Sequence, residues 1–225
     1  MSRMSFIPRF VIWFFILFIF FYVRKWSPAF QFLFAFFSII IFYFFRRSSI
    51  PFRETIKNEG EIYLSPVYGV VKSIRRDTMG WDELPGAHEV RIAINYLDQK
   101  GLYLPTSGEV SYLKENKGVR ISRQASSQEF YLPPAELAHT DLVLKSKNEI
   151  KTLMRFIDCK FGYRPSIWLK SGDRGRGAAC FGHYPFGGTL IIYLPKNSDI
   201  LVFENEHVVP GQSVIAALKD SNEGF

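Results

Sequence analysis

Residue types that usually carry chemistry are few in this 225-residue chain, and most are badly spaced for the common arrangements. Cys159 and Cys180 lie too far apart for a zinc site, and His88, His139, His183 and His207 show no ligand spacing, so no metal is expected. No Ser-His-Asp or Walker-type arrangement occurs. Gly172-Asp-Arg-Gly-Arg-Gly177 is glycine-rich, yet it lacks the Lys-Ser or Lys-Thr ending and the following helix that phosphate cradles require. What remains is Phe181 to Pro195, Phe-Gly-His-Tyr-Pro-Phe-Gly-Gly-Thr-Leu-Ile-Ile-Tyr-Leu-Pro, a tight turn feeding a strand. Gly187 and Gly188 can take the positive φ that a Cβ resists, so another group can approach the backbone closely there. His183, five residues before Gly188, reads as a satisfied histidine near a turn.

Upstream of this turn lies Trp168-Leu-Lys-Ser-Gly-Asp-Arg-Gly-Arg-Gly-Ala-Ala-Cys-Phe-Gly182, and downstream Val209-Pro-Gly-Gln-Ser-Val-Ile-Ala-Ala-Leu218. Together they resemble the carboxy-terminal segment of the phosphatidylserine decarboxylases, particularly the short bacterial and archaeal type. That family carries a glycine-aspartate hairpin, then Phe-Gly-Ser before a strand ending in Pro, then a second glycine hairpin. The family's serine position holds Gly188 here. In the family the serine hydroxyl attacks the preceding carbonyl, the ester eliminates across Cα and Cβ, and hydrolysis leaves an amino-terminal pyruvoyl group. The pyruvoyl carbonyl then takes the amine of phosphatidylserine as a Schiff base and serves as electron sink for loss of carbon dioxide. A glycine has no Cβ and cannot be converted.

Two further family motifs are similar in outline and altered at their functional positions. A family Ser-Pro-x-Asp-Gly motif supplies an acidic residue near the cleavage serine, and here it reads Ser65-Pro66-Val67-Tyr68-Gly69. The family's Leu-Asp-x-His, followed by Pro and Gly, matches Leu97-Asp98-Gln99-Lys100 with Pro105 and Gly108. The resemblance therefore makes Gly187, Gly188 and Thr189 the equivalent of the processing site, and Tyr68 and Lys100 the equivalents of its acid and base. A tyrosine of ordinary pKa cannot replace a carboxylate at neutral pH, nor an ammonium a neutral imidazole without a large desolvation shift. No catalytic residue is assigned on this reading. Thr189 could attack the Gly188 carbonyl, but elimination would leave a bulkier α-ketobutyryl group, and Lys100 could be a nucleophile if buried, although a solvated loop lysine is the commoner case.

The elements that must position these residues fall in two parts. Residues 1 to 50 hold 15 of the 23 Phe and no acidic residue, while the remaining 175 carry 22 basic against 21 acidic groups. All but one unit of the +7 net charge thus belongs to the amino-terminal flank, and it does not indicate a nucleic-acid-binding face. Apolar runs over about residues 10–23 and 29–45, separated by Arg24-Lys25-Trp26-Ser27-Pro28, read as a helical membrane hairpin within residues 1–49. At about 1.5 Å per residue they cover roughly 21 and 26 Å, short of a hydrocarbon core of about 30 Å. Two placements stay open: both helices span, with Trp13, Trp26, Tyr22 and Tyr43 near the interfaces, or the pair dips into one leaflet with its arginines snorkelling. A secretory signal is disfavoured, since no small-residue cleavage site follows the first run. Basic residues at the outer ends (Arg3, Arg9, Arg46, Arg47, Arg53) outnumber those in the turn, which favours the cell (inner) membrane with the second domain on the cytoplasmic side.

Residues 50–225 read as a soluble, mainly β domain of sandwich or barrel type. Ile62–Ile74 gives strand, turn and strand, and Val90, Ile92, Ile94 and Tyr96 alternate with Arg91, Ala93 and Asn95. Extended segments bracket Pro105–Gly108, with Val110, Tyr112, Val119 and Ile121 on the far side. Residues 122–139 read as a long surface loop ending in a short helical turn at 135–138. Glu149–Lys160 fits either a helical stripe or the family's strand, and is taken as strand. Leu169-Lys-Ser-Gly-Asp-Arg174 and Val209-Pro-Gly-Gln-Ser-Val214 are also similar to the hammerheads of biotinyl and lipoyl carriers, but no Met-Lys pair is present for modification.

The sequence thus implies a membrane-anchored protein of phosphatidylserine decarboxylase type, unprocessed and without pyruvoyl, that binds phospholipid head groups or partners another lipid enzyme. The alternatives are an active decarboxylase making phosphatidylethanolamine, which would carry pyruvoyl, and a structural interaction module. No nucleic-acid partner is expected.

Overall fold

The computed structural model describes residues 14, 15, 17–19, 21, 22, 27–44, 61–79, 81–95, 98–120, 136–158, 164–184 and 187–218, omitting side chains at 40–44. The chain divides into two compact units, Met1–Ser49 and Ile50–Phe225.

In the first unit the described residues before Ser27 are helical, and a second helix runs over Pro28–Phe44. Pro28 suits a first helical position, where its missing N–H costs nothing, and the Ser27 carbonyl accepts from the amides of Phe30 and Gln31. The Phe34 ring stacks on Phe14 at 4.2 Å and on Phe18 at 4.6 Å. Phe32, Phe36 and Ile39 are exposed. No helix among the described residues is long and apolar enough to cross a membrane. Trp13 and Trp26 lie outside the described residues.

The second unit is mainly β. Its strands are β1 (Ile62–Leu64), β2 (Gly69–Thr78), β3 (Ala87–Ile94), β4 (Gly101–Tyr103), β5 (Gly108–Asn116), β6 (His139–Ser146) and β7 (Lys151–Ile157). They continue with β8 (Ser166–Ile167), β9 (Arg174–Gly175), β10 (Cys180–His183), β11 (Gly188–Leu194), β12 (Ser198–Ile200), β13 (His207–Val208) and β14 (Val214–Leu218). An eight-stranded sheet has the order β13-β2-β3-β11-β7-β6-β5-β9, and two three-stranded sheets have the orders β1-β14-β12 and β4-β10-β8. Every strand pair in them is antiparallel.

One face of the large sheet, with Val90, Ile92, Leu142, Met154, Phe156, Leu190 and Ile192, shares a core with Tyr63, Leu102, Phe181 and Ile215 from the small sheets. The opposite face packs Val143, Leu153, Ile157, Ile191 and Tyr193 with Trp81 and Leu137. β11 lies between β3 and β7 with all seven residues buried, which explains its continuous apolar run. The same two-sided burial accounts for β7, the strand within Glu149–Lys160, whose last two residues lie outside the described ones: Met154 and Phe156 serve one core and Leu153 and Ile157 the other, so the strand shows no alternation.

The structure adds to some expectations and corrects others. Within the alternation of β3, Arg91 is 2% exposed and donates to Glu89 at 2.5 Å. The segments flanking Pro105–Gly108 are both extended, as expected, but they join different neighbours: β4 joins β10, while β5 joins β6 and β9. Residues 136–138 form no helical turn: Leu137 is buried and bridges Val119, and His139 already belongs to β6. Ile121 and Ala135 lie outside the described residues. The two hammerhead-like segments do form glycine turns, with φ of 89° at Gly172 and 69° at Gly211.

Candidate functional site

The β10–β11 connection is fixed by its neighbours. His183 pairs with Gly101 and Ser166, and the ladder continues one step further as the Tyr184 amide donates to the Lys100 carbonyl at 2.8 Å. The Gly187 amide then closes back on the Tyr184 carbonyl at 3.2 Å. Gly187 takes φ 76°, and an added Cβ would strike the Ile94 carbonyl. Only glycine suits that position. Gly188 pairs with Ile94, and Thr189 lies between Ala93 and Ile157 with 5% of its surface exposed.

At Gly188 the obstacle is a side chain. A Cβ there would lie 2.5 Å from the Tyr184 hydroxyl oxygen and 2.6 Å from the ring carbon that bears it. The Tyr184 ring is fully buried, packs edge-on against Phe156, and donates its hydroxyl proton to the Ile157 carbonyl. The space a residue-188 side chain would occupy is therefore filled by a hydrogen-bonded phenol.

Beside it, the β3–β4 loop is tied by the Asn95 amide, which donates to Asp98 Oδ2 at 2.7 Å, and by the Asp98 amide, which donates to the Asn95 carbonyl. Lys100 Nζ also donates to that carbonyl. Lys100 is not the solvated loop lysine expected: it is 4% exposed, and burial pushes its pKa down to about 8 against the opposing charge of Asp98. An added Cβ on Gly187 would lie 3.1 Å from the Asn95 carbonyl oxygen, so this one carbonyl links the Lys100 amine to the glycine turn.

Tyr68 precedes Gly69, where β2 begins, and is half-buried. Val70 pairs with Ala93, which pairs in turn with Thr189, so the register brings Tyr68 to the same end of the sheet as Gly188. The structure thus gathers Tyr68, Lys100 and Gly187–Thr189 at one end of β2, β3 and β11. His183 belongs to the same connection but sits 6.2 Å from the Trp168 ring, and burial lowers its pKa.

Two residues at this end escape a reading by motif. Tyr184 lies inside the stretch Phe181–Pro195, and its signal is bulk four residues before Gly188. Asp158 follows Ile157, the partner of Thr189, and so comes level with Gly188. It is 1% exposed and holds Arg164 at 3.0 Å through Oδ2. Burial raises its pKa, opposed by Arg164 and Arg120. No group of metal-binding residues is found among the described residues, and Cys159 lies outside them.

No family model matches the chain. It is 29% identical over 174 residues to a protein named phosphatidylserine decarboxylase proenzyme from Amoebophilus asiaticus, covering 75% of this chain and 72% of that one. Proteins of the same name from Wolbachia pipientis and Ehrlichia chaffeensis are each 25% identical, over 176 and 183 residues. These alignments cover 74% and 76% of this chain, and 72% and 75% of the relatives.

Proposed function

We propose that this chain, a homologue of the phosphatidylserine decarboxylase proenzymes, is an unprocessed member of their family that lacks pyruvoyl and serves in phospholipid metabolism by binding. The observation that carries the reading is at residue 188. Gly188 has no β-carbon to eliminate across, and the Tyr184 phenol stands where one would be. The positions matched to the family's acid and base hold Tyr68 and Lys100, and the amine of Lys100 is buried against a backbone carbonyl. A pyruvoyl group has no source in such a turn, so no cofactor is assigned.

The partners on this reading are membrane phospholipids, engaged through their head groups, or another enzyme acting on them. Anchoring is assigned to residues 1–49, whose two aromatic helical segments meet through Phe14, Phe18 and Phe34 and leave Phe32, Phe36 and Ile39 outward. The basic residues flanking them favour a cytoplasmic β domain on the inner membrane, and its three antiparallel sheets around a shared core suit the family's sandwich.

Intact mass of the purified chain tests the reading. A single polypeptide of 26.1 kDa is expected. The name shared by the relatives favours a second reading, an active decarboxylase, and that reading requires two fragments divided near Gly187 or Gly188 with a keto-acyl terminus on the smaller one.

A further inference from the structure

Strand β7 runs from Lys151, opposite Lys145, to Ile157, opposite Thr189. At about 3.3 Å per residue these two ends lie roughly 20 Å apart. The end away from Thr189 holds a cleft of about 610 Å³, within the usual range for a ligand site. We propose that this cleft binds a phosphomonoester dianion, the terminal phosphate of a lipid head group or of a small soluble ester. It gives the head-group binding proposed above a place, and rests on that reading for the lipid as a source. Its distance from residue 188 keeps the two tests separate: intact mass decides processing, and ligand affinity decides the cleft.

The charge of the walls selects the ligand. They come from the start of β5, the β6–β7 turn and the β9 arm, and carry Lys145, Lys147, Arg174 and Arg176 against Glu109 and Glu149. Four cations less two carboxylates leave +2, although residues 51–225 as a whole come to only +1. A phosphomonoester carries about −1.5 to −2 near neutrality and matches that charge, whereas a diester carries a single one. One cross-strand row sets Arg174, Glu109 and Lys145 side by side on β9, β5 and β6, so a single carboxylate is flanked by two cations. Arg174 Nε donates to Glu109 at 2.8 Å and Lys145 Nζ to Glu149 at 2.7 Å. Both pairs are solvent-exposed and weakly held, so an entering phosphate can compete for their cations. Lys147, in the β6–β7 turn, and Arg176, just after β9, are exposed, and a guanidinium offers phosphate two parallel N–H donors.

The walls are also held in place without a ligand. Glu149 takes φ 62°, uncommon for a residue with a side chain, where its amide donates to the Ser146 carbonyl and the Ser146 amide to that of Ile150. Buried Ser146 donates its hydroxyl proton to Glu61 at 2.9 Å. Across the cleft, the Val110 amide donates to the Asp173 carbonyl and the Gly172 amide to that of Val110. Ser107 Oγ accepts from the Gly177 amide at 2.8 Å, which leaves its own proton for a phosphate oxygen. Such a site spends little on ordering when its ligand arrives.

Microscale thermophoresis of the full chain in non-ionic detergent near neutral pH tests the cleft. Glycerol 3-phosphate is the soluble probe, and micelles doped with phosphatidic acid are the lipid probe. Saturation by glycerol 3-phosphate assigns a soluble source; saturation by phosphatidic acid alone assigns a lipid. Phosphatidylglycerol, a diester, should bind about 5-fold more weakly than phosphatidic acid. Lys147→Ala with Arg176→Ala should weaken the ligand that binds by about 10-fold, and Glu149→Gln, which releases Lys145, should tighten it about 3-fold. Lys72→Ala with Arg76→Ala removes the same charge from exposed positions of β2, four strands from β6, and should leave affinity within about 2-fold. The proposal is overturned if neither probe binds, if the diester binds as tightly as the monoester, or if Glu149→Gln brings no gain. It is overturned equally if the two double variants lose the same affinity or both retain it.

Discussion

The hydroxyl of Tyr184 stands 2.5 Å from where a β-carbon on Gly188 would be, and the same hydroxyl is bound to the carbonyl of Ile157. The phenol and the missing side chain are therefore one feature. A serine at 188 and a tyrosine at 184 cannot share this backbone unless the ring leaves, and when it leaves the Ile157 carbonyl loses its side-chain donor.

Gly188→Ala should accordingly destabilise the domain by about 2–4 kcal/mol, combining overpacking with a backbone φ of 155° that side chains resist. Tyr184→Phe should give little relief, because ring carbons at 2.6 and 2.9 Å remain in the way. Tyr184→Ala should recover part of the loss. Denaturant unfolding of the four proteins forms a double-mutant cycle, and additive effects would show that the two positions do not compete for space.

On the other face of the sheet, Asp141 holds Arg155 through two hydrogen bonds, at 2.8 and 2.9 Å, and His139 lies 3.4 Å from the same carboxylate. Burial would raise the pKa of Asp141, but His139 and Arg155 outweigh it and hold the carboxyl below its usual range. Asp141→Asn leaves a buried guanidinium without its counter-ion, and a loss of about 3–5 kcal/mol is expected. A depressed carboxyl stabilises above its unfolded pKa and loses that contribution as pH falls through the folded value. The variant should therefore show a flatter acid limb in unfolding free energy against pH.

Lys100 gives a slope of the same sign at higher pH, but through a burial penalty that is relieved and not through an attraction that is gained. Its folded pKa of about 8 lies below the ordinary 10.5, so between those values the unfolded chain binds more protons and stability rises with pH. Below pH 8 the penalty for burying this amine is fully present, on the order of 1–3 kcal/mol. Lys100→Met should remove the slope between pH 8 and 10.5, and an unchanged slope would place the titration elsewhere.

Which parts of this were legible follows from the range of each interaction. Glycine turns and strand runs announce themselves locally, so Gly172, Gly187 and Leu190–Leu194 could be placed from neighbouring residues alone. Aligned motifs likewise singled out Tyr68, Lys100 and Gly188, which the sheet register brings to one end. Buried charge is different. Arg91 and Arg155 alternate with apolar residues as exposed arginines do, and the burial of Arg155 goes with a partner 14 residues away in sequence, Asp141, and with the Tyr193 ring 5.6 Å from its guanidinium. Tyr184 was hidden for a related reason: a phenol that substitutes for a missing side chain reads as one more aromatic until the turn folds it back over Gly188.

Removing residues 1–49 should leave a domain that stays in solution, because the β unit is compact by itself and nearly balanced in charge. Flotation with phospholipid vesicles at high salt checks this, since salt screens attraction to head groups but leaves apolar insertion in place. If the truncated chain floated under those conditions, an apolar surface of the β unit, such as exposed Leu201 and Phe203, would have to carry the attachment.

The most demanding test is restoration of self-cleavage. Three substitutions follow from the motif resemblance, Gly188→Ser, Tyr68→Asp and Lys100→His, and the structure adds Tyr184→Ala as a fourth. A serine hydroxyl at 188 must reach the Gly187 carbonyl carbon, and a base must take its proton; a well-placed acid or base contributes about 10²–10⁴ in rate. The phenol blocks the first requirement before the second matters, because it occupies the Cβ position itself. The triple variant should therefore remain one chain, while the quadruple variant should divide between Gly187 and residue 188 and give a blocked amino terminus by mass. Cleavage of the triple variant at the same rate as the quadruple would show that Tyr184 yields freely, and the steric account of Gly188 would then have to be abandoned.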